Sequence, residues 1–196
     1  LCHGEMNPTK KWWWDLELEE DGAYRPTPSQ VQHTGKGQTL LGAFNSQGEQ
    51  CQFLADVFNH ALPETTWHDK INQALWNKLA INCAINPLTA IHQIPNGALV
   101  EQKFQHQIES IIKEVSLVMQ AEKVDMDICS LQKTVERVIS ATSSNYSSME
   151  QDIAHQRQSE IDFITGYVLD RAATHNIDVP SNQSLYQAIK KIEQSW

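Results

Sequence analysis

The chain has 196 residues, of which 40% are hydrophobic and 20% charged, as is typical of a soluble globular protein with its own core. Its net charge of −9 argues against a nucleic-acid partner. No apolar run is long enough to cross a membrane, and the N-terminus lacks a signal peptide's layout. The four scattered cysteines, and histidines without an HExxH spacing, predict reduced thiols, a cytoplasmic location and no metal site.

The first part of the chain predicts a small β structure. Residues 1–21, with the triplet Trp12–Trp14 and an acidic run, have no clear period; an edge strand, an interaction tail and an expression remnant all stay open. Two strands are predicted at Gln30–Thr34 and Thr39–Phe44, joined as a hairpin across the glycine-containing turn 35–37. A strand follows these glycines where a phosphate-binding loop would open a helix, which favours a turn.

From about Gly48 to the C-terminus the apolar spacing is helical. The predicted helices are Gln50–Ala61, a central helix capped by Asp69, Phe104–Met119, Ile128–Ile139, Ser148–Gln158, Glu160–His175 and one from Pro180 through Ile192, with a break at Ser143–Ser148. We therefore predict a mainly α-helical domain, 47–196, preceded by a β remnant, 1–46, in which the strands occupy about 30–44.

An unusual polar stripe lies in the central helix. Lys78, Asn82 and Asn86 recur every fourth residue and share one helical face. Asparagine is a poor helix former because its side chain competes for backbone groups, so two of them need a partner. An amine and two amides on one face would suit an oxygen-rich anionic ligand. Alternatively, Lys78 extends to water and the asparagines cap or bridge neighbouring helices.

Two long segments resemble the diagnostic segments of ketopantoate reductase, the 2-dehydropantoate 2-reductase of pantothenate synthesis. They are Lys78–Gly97 (KLAINCAINPLTAIHQIPNG) and Ser147–Gly166 (SSMEQDIAHQRQSEIDFITG). The resemblance extends from about residue 22 to the C-terminus. It implies a multi-helix domain of the 6-phosphogluconate dehydrogenase C-terminal-like fold, preceded by the last strands of a Rossmann domain. The GxGxxG loop of such a domain does not occur in this sequence.

The resemblance also implies roles for single residues. Lys78 matches the family's catalytic lysine, which would stabilise and protonate the carbonyl oxygen as NADPH delivers hydride. Glu160 matches the acidic residue that helps orient the lysine and the cofactor. The family's substrate-binding positions are matched by Asn82, Asn86, Asn96 and Ser148.

Each of these positions also has a simpler explanation. Ser148 could cap a helix, and Asn96 could be a turn residue of the Pro-Asn-Gly sequence. Glu160 could be a first-turn acid that stabilises its own helix. Asp152 and Arg157 are expected to form an ion pair.

The resemblance thus predicts the substrate-binding and catalytic domain of a reductase that converts ketopantoate to pantoate with NADPH. Without a dinucleotide-binding domain the chain alone is expected to be inactive. The expected partners are the substrate and a Rossmann domain, with a homodimer left open. The alternatives are a non-enzymatic helical remnant, an oligomerisation module, or a reductase of another 2-keto acid.

Overall fold

The computed structural model describes residues 17–18, 22–27, 29–35, 38–46, 48–61 and 64–196. The chain forms two compact units, Leu1–Leu75 and Trp76–Trp196. Among the described residues, every strand belongs to the first unit. The tryptophan-rich stretch lies outside the described residues, and the division into 1–46 and 47–196 stays a prediction.

Short strands dominate the first unit. Those described are β1 (Glu17–Leu18), β2 (Gly22–Thr27), β3 (Gln30–Gly35), β4 (Thr39–Leu41) and β5 (Thr65–Trp67). β2 and β3 form an antiparallel hairpin, while β4 pairs with β1 antiparallel and with β5 parallel. The predicted hairpin of Gln30–Thr34 with Thr39–Phe44 is therefore wrong, although both strands exist. A strand as short as β5 carries too little pattern to be recognised in the sequence, so the partner of β4 was not foreseen.

Helical structure in the first unit is shorter than predicted. A 3-10 turn over Gly48–Cys51 and α1 over Phe53–Phe58 replace the predicted helix Gln50–Ala61. Phe53 and Val57 are exposed, so the apolar side expected for this helix is only partly buried. Because β5 follows α1, the expectation that the chain stays helical from this point is also wrong.

The side chain of Asn59 explains where β5 begins. Its Nδ2 donates to the Thr65 carbonyl at 2.6 Å, and its Oδ1 accepts the Thr65 N–H at 2.7 Å. An amide side chain that bonds both the backbone N–H and the carbonyl of one residue provides the hydrogen bonds that a neighbouring strand would otherwise make to it. A local side-chain contact therefore supports a strand that the sequence pattern does not predict.

The helix α2, Ile71–His92, begins in the first unit and is the longest helix of the described residues. The prediction that Asp69 caps it is wrong. Lys70 directly precedes the helix and its carbonyl accepts hydrogen bonds from the first turn, whereas the Asp69 carboxylate accepts a 3.4 Å bond from Gln52.

α2 continues through Pro87, which lacks the N–H that a helix interior needs. Proline costs a helix about 3 kcal/mol relative to alanine. Every residue from Cys83 to Ala90 is buried, and Ile85 and Leu88 are at most 3% exposed. Burying one such side chain contributes roughly 1.5–3 kcal/mol, so packing around this segment outweighs the effect of the proline.

A 3-10 turn over Asn96–Val100 and five helices complete the described second unit. The helices are α3 (Gln102–Ala121), α4 (Ile128–Ala141), α5 (Ser148–Ala154), α6 (Thr165–Thr174) and α7 (Pro180–Glu193). The predictions for α3, α4 and α7 are confirmed, with Pro180 in the first turn of α7. Of the helices that the structure describes, none has both the length and the apolar character that a membrane span requires.

The predicted helices Ser148–Gln158 and Glu160–His175 are too long. α5 ends before Gln156, whose φ of 53° lies in the left-handed region in which a helix cannot continue. Residues 161–164 form turns, and α6 begins only at Thr165. Glu160 therefore lies outside any helix.

The helical period predicted for α3 corresponds to the core. Its buried apolar side chains are Phe104, Ile108, Ile111, Ile112, Val115, Val118 and Met119. They pack in one cluster with apolar side chains of the other helices of the second unit. The mainly α-helical fold class is thereby confirmed for this unit.

A carboxylate of α3 caps the N-terminus of α7. Glu114, which is 8% exposed, accepts the Ser181 N–H at 2.8 Å, and its other oxygen accepts the Asn182 N–H at 2.9 Å and Asn182 Nδ2 at 2.8 Å. The first amides of a helix have no partner within it, and a helix N-terminus favours negative charge. Glu114 therefore takes the place of the capping side chain that Val179, at the N-cap, cannot supply.

We predict that Glu114→Ala lowers the free energy of unfolding by about 3 kcal/mol, because buried donors would lose a charged acceptor. Urea denaturation followed by circular dichroism measures the change. Glu109→Ala, at an exposed position of the same helix, is the control and should change stability by about 0.5 kcal/mol or less. Equal effects of the two substitutions would contradict the capping role.

Candidate functional site

The predicted polar stripe lies on α2 within the second unit. Lys78 and Asn82 are half-buried, and Asn86 is 8% exposed. The core side of the same stretch carries Trp76, Ala80, Cys83 and Ala84, all of them buried. The stripe thus begins partly in contact with solvent and ends in the buried segment around Pro87. Buried amides need hydrogen-bond partners, which makes the surroundings of Asn86 decisive for its role.

A buried pair of hydroxyl groups joins α2 to the start of α5. The Thr89 hydroxyl, 0% exposed, lies 2.8 Å from the Ser147 hydroxyl and 3.0 Å from the carbonyl oxygens of Ile85 and Asn86. Each hydroxyl has one hydrogen to donate. All contacts are satisfied when Ser147 donates to Thr89 and Thr89 donates to the carbonyls of its own helix.

Ser147, and not Ser148, is the capping serine. Ser147 is 7% exposed and its Oγ accepts the Glu150 N–H at 3.0 Å, while Ser148 is exposed at the first position of α5. The interpretation of Ser148 as a helix cap is therefore wrong, because its neighbour occupies that position. Because Ser147 supplies the cap, α5 does not need the Ser148 hydroxyl. The substrate-binding role of Ser148 stays a prediction.

Asn96 does more than form a turn. It begins the 3-10 turn after α2, its N–H donates to the Asn145 carbonyl at 2.9 Å, and its Nδ2 donates to the Thr142 hydroxyl at 2.9 Å. Asn96 is 7% exposed, and its Oδ1 is buried without a hydrogen-bond partner within the described ranges. The side chain thus binds the segment between α4 and α5 through its Nδ2. Its Oδ1 can still accept a hydrogen bond, and no donor for it lies among the described residues.

Gly97 permits this close approach. Its N–H donates to the Ser143 carbonyl at 3.0 Å, and an added Cβ would lie 2.7 Å from atoms of Ser143. A residue with a side chain would push the two segments apart. The Pro-Asn-Gly sequence is thus required for docking against the loop before Ser147 as well as for turning the chain.

These contacts join the chain segments that carry three predicted substrate-binding positions, Asn86, Asn96 and Ser148, and we call this place the junction. Thr89 attaches the helix of Asn86 to Ser147, the neighbour of Ser148, and Asn96 attaches to the loop that leads there. Lys78 and Asn82 lie further along the same stripe; Lys78 is eight residues before Asn86, or roughly 12 Å along a helix axis.

Glu160 belongs to a separate anchored segment. Its side chain is exposed, and its carbonyl accepts the N–H groups of Phe163 and Ile164 at 3.0 Å. Since α6 begins only at Thr165, the interpretation of Glu160 as a first-turn acid of its own helix is wrong. Its catalytic or cofactor-orienting role stays a prediction.

Ring and thiol contacts connect α2 to the start of α6. The rings of Trp76 and Tyr167 are 5.6 Å apart between centroids, so the turn of α2 that carries Lys78 packs against α6. Burial raises the pKa of the Cys83 thiol to about 12, and the nearby Thr165 opposes this. Cys83 therefore remains an uncharged thiol and serves the packing of these helices.

The predicted ion pair between Asp152 and Arg157 is confirmed. Arg157 Nη2 and Nε lie 3.0 Å and 3.1 Å from Asp152 Oδ1. Burial raises the pKa of Asp152 by more than the charge and hydrogen bond of Arg157 lower it. The pair stabilises the reversal of the chain after α5.

Three residues that shape the site are not predicted from the sequence: Thr89, Ser147 and Glu193. Glu193 accepts both the N–H and the hydroxyl of Ser159, the residue before Glu160. The only local signal was the capping position of Ser147, because a serine directly before a helix commonly caps it. Thr89 and Glu193 contact residues far away in the sequence, and no spacing rule points to such contacts.

Comparisons with known proteins agree on one family. Residues 70–193 match the family described as ketopantoate reductase PanE/ApbA C terminal. The chain is 56% identical over 175 residues to the 2-dehydropantoate 2-reductase of Vibrio cholerae, covering 89% of this chain and 59% of that protein. It is 40% identical over 164 residues to the Salmonella typhimurium enzyme of the same name, covering 84% and 54%.

Solved structures share the fold. A PanE/ApbA family ketopantoate reductase from Ralstonia eutropha matches with a TM-score of 0.81 and 30% identity, over 91% of this chain and 59% of that one. D-mandelate dehydrogenase in complex with NADH matches with a TM-score of 0.86 over 91% of this chain and 62% of that one, at 23% identity, and so shows the fold alone. The chain spans between about half and three fifths of the length of these relatives.

We predict that the Thr89–Ser147 hydrogen bond appears as a coupling energy in a double-mutant cycle. Thr89→Val and Ser147→Ala should each lower the free energy of unfolding by about 1–2 kcal/mol, with a coupling of about 1 kcal/mol, because the first leaves the Ser147 hydroxyl without an acceptor and the second leaves the Glu150 N–H without one. Urea denaturation of the single and double variants measures it.

Thr134→Val is the matched control, since the Thr134 hydroxyl bonds only to the Ser130 carbonyl of its own helix. When Thr134→Val is combined with Ser147→Ala, the two changes in the free energy of unfolding should add. Additivity of the Thr89 and Ser147 substitutions as well would contradict the bridge between α2 and α5.

Proposed function

The chain belongs to the ketopantoate reductase family, and on that basis we propose that it is the substrate-binding and catalytic domain of an NADPH-dependent 2-dehydropantoate 2-reductase. The proposed reaction reduces the keto group of ketopantoate and yields pantoate. The chain spans 59% of its Vibrio cholerae relative. The reductase activity, the substrate and the cofactor are therefore proposed for a whole protein of which this chain is one domain.

The junction is the observation that carries the proposal. It joins the segments that carry Asn86, Asn96 and Ser148 through the Thr89–Ser147 and Asn96–Thr142 hydrogen bonds, and Asn96 Oδ1 is an acceptor without a donor among the described residues. Two amides and a hydroxyl match a small acid that carries a carboxylate and a hydroxyl group. Asn82, one turn before Asn86, would extend the same face toward the reacting carbon.

Lys78 is the proposed general acid. As a keto carbon accepts hydride, negative charge develops on the carbonyl oxygen, and a nearby ammonium stabilises that charge and donates the proton. The half-buried position of Lys78 on the same stripe as Asn82 and Asn86 supports this role. The keto group of the substrate would then lie at Lys78 with the adjacent carboxylate close by, and its hydroxyl end would extend along the stripe toward Asn86.

Glu160 is proposed to orient Lys78 and the cofactor. Its backbone lies in a hydrogen-bonded turn while its carboxylate is exposed, so the charge is available to other groups. The ring of Trp76, two residues before Lys78, packs on Tyr167, so this part of α2 is a neighbour of the helix that follows Glu160.

The part of the chain that the structure describes offers no fitting site for the pyrophosphate of a dinucleotide. The sequence has no GxGxxG turn, and Gly42, which follows β4, is packed so closely that an added Cβ would lie 2.6 Å from the His68 carbonyl oxygen. That glycine serves packing and leaves no cradle for a phosphate. We therefore assign this chain the substrate side of the reaction; NADPH, bound by another part of a whole protein, would supply the hydride.

Sequence similarity favours ketopantoate over other 2-keto acids. The similarity to D-mandelate dehydrogenase is one of fold, whereas relatives at 56% and 40% identity are named as 2-dehydropantoate 2-reductases. A homodimer stays a prediction; a dimeric ketopantoate reductase from Staphylococcus aureus shares the fold at 22% identity and a TM-score of 0.76.

We predict that Lys78→Ala in the full-length reductase lowers kcat by about 10²–10³-fold, because the developing oxyanion loses its charged donor. Steady-state NADPH oxidation with ketopantoate measures the loss. Lys133→Ala, at an exposed position of α4, is the control and should retain the kcat of the parent. Near-normal turnover by Lys78→Ala would remove this lysine from the mechanism.

We also predict that the chain alone shows no measurable NADPH oxidation with ketopantoate, because it lacks a site for the dinucleotide. The full-length Vibrio cholerae relative, assayed in parallel, is the positive control. Robust turnover by the isolated chain would overturn the assignment of the cofactor to another part of the protein.

A further inference from the structure

We infer that Glu193, at the C-terminal end of α7, is a positioning residue that holds Glu160 in place through Ser159; this inference rests on the proposed function of Glu160. Glu193 Oε1 accepts the Ser159 N–H at 2.8 Å and the Ser159 hydroxyl at 2.7 Å. Ser159 and the Glu193 side chain are each 7% exposed. The contact joins residues that are 34 positions apart in the sequence.

The other side of the turn is also attached to α7. Lys190 Nζ lies 3.0 Å from Asp162 Oδ2 and 3.2 Å from Glu193 Oε2, and the Tyr186 hydroxyl donates to Asp162 Oδ1 at 2.7 Å. Hydrogen bonding to Asp162 raises the pKa of Lys190, so the ammonium remains charged at neutral pH. One helix face therefore holds the residue before Glu160 and the residue two positions after it.

This arrangement fixes the backbone of Glu160 and leaves its carboxylate exposed. Charged groups that act on a reaction must be held within about 0.5 Å of their working position by their supporting contacts. The Ser159–Glu193 contact is the buried, charge-assisted part of that support.

The expected consequence is a loss of kcat at nearly constant KM. Without the Glu193 carboxylate, the N–H and the hydroxyl of Ser159 lose their common acceptor and the turn relaxes, while the junction that binds the substrate is untouched. A misplacement of about 1 Å can reduce a rate by about 10²-fold. We therefore expect Glu193→Ala to lower kcat by about 10–100-fold and to change the KM for ketopantoate by less than about threefold.

The experiment compares variants of the full-length reductase at 25 °C, with the melting temperature of each variant measured separately. Glu193→Gln keeps an oxygen that accepts from Ser159 and should recover most of the lost kcat. Ser159→Ala keeps only the N–H bond and should lower kcat by less than Glu193→Ala does. Glu160→Gln, in the same set, tests the role of Glu160 itself.

Glu114→Ala and Lys191→Ala are the controls. The first removes another buried carboxylate that supports α7, and should lower the melting temperature without changing kcat. The second, at an exposed position of α7 next to Lys190, should change neither quantity. An equal loss of kcat in Glu114→Ala and Glu193→Ala would mean a merely structural role and would overturn the inference.

The remaining outcomes separate the two proposals. If Glu160→Gln lowers kcat but Glu193→Ala and Ser159→Ala do not, the positioning inference is wrong and the role of Glu160 stands. If Glu160→Gln leaves kcat unchanged, the proposed role of Glu160 fails and the inference with it. Should Glu193→Ala not fold, Ser159→Ala decides alone: a kcat equal to that of the parent overturns the inference.

Discussion

The candidate site depends on the buried hydrogen bond between the hydroxyl groups of Thr89 and Ser147. Both groups are removed from water, so neither can exchange its partner for solvent, and loss of either would leave a polar atom unmatched in the core. The bond ties the middle of the chain to a loop that lies 58 residues later. In the described part of the chain, the other hydrogen bonds of the Thr89 hydroxyl stay within α2 and do not reach the start of α5.

α2 combines two demands that ordinarily conflict. Its buried segment from Cys83 to Ala90 packs in the core like an apolar helix, yet it carries Asn86 and accommodates Pro87. The free energy gained by burying its apolar side chains offsets the backbone hydrogen bond that is lost at Pro87. A helix so firmly held is a suitable support for a polar stripe whose members must keep a fixed spacing.

α7 supports the second unit at both of its ends. Its N-terminal amides are bound by Glu114 of α3, and its C-terminal end supplies Glu193 to Ser159. Each contact removes a carboxylate from water and satisfies it with several donors, which is the condition under which a buried charge is stable. The helix thereby links the core packing of α3 to the turn that presents Glu160.

The sequence by itself determined the helices with a strong apolar period, since α3 and α4 each bury the side that repeats every three to four residues. It also determined the first turn of α7, because proline is suited to that position, and the Asp152–Arg157 pair, which is local. The family followed from two long segments. The tertiary structure alone decided the partner of β4, the starting residue of α6, the capping serine of α5 and the contact of Ser159 with Glu193. Most of these features depend on contacts between residues far apart in the sequence. The capping serine depends on which of two adjacent serines lies at the start of α5. Neither kind of feature produces a periodic pattern in the sequence.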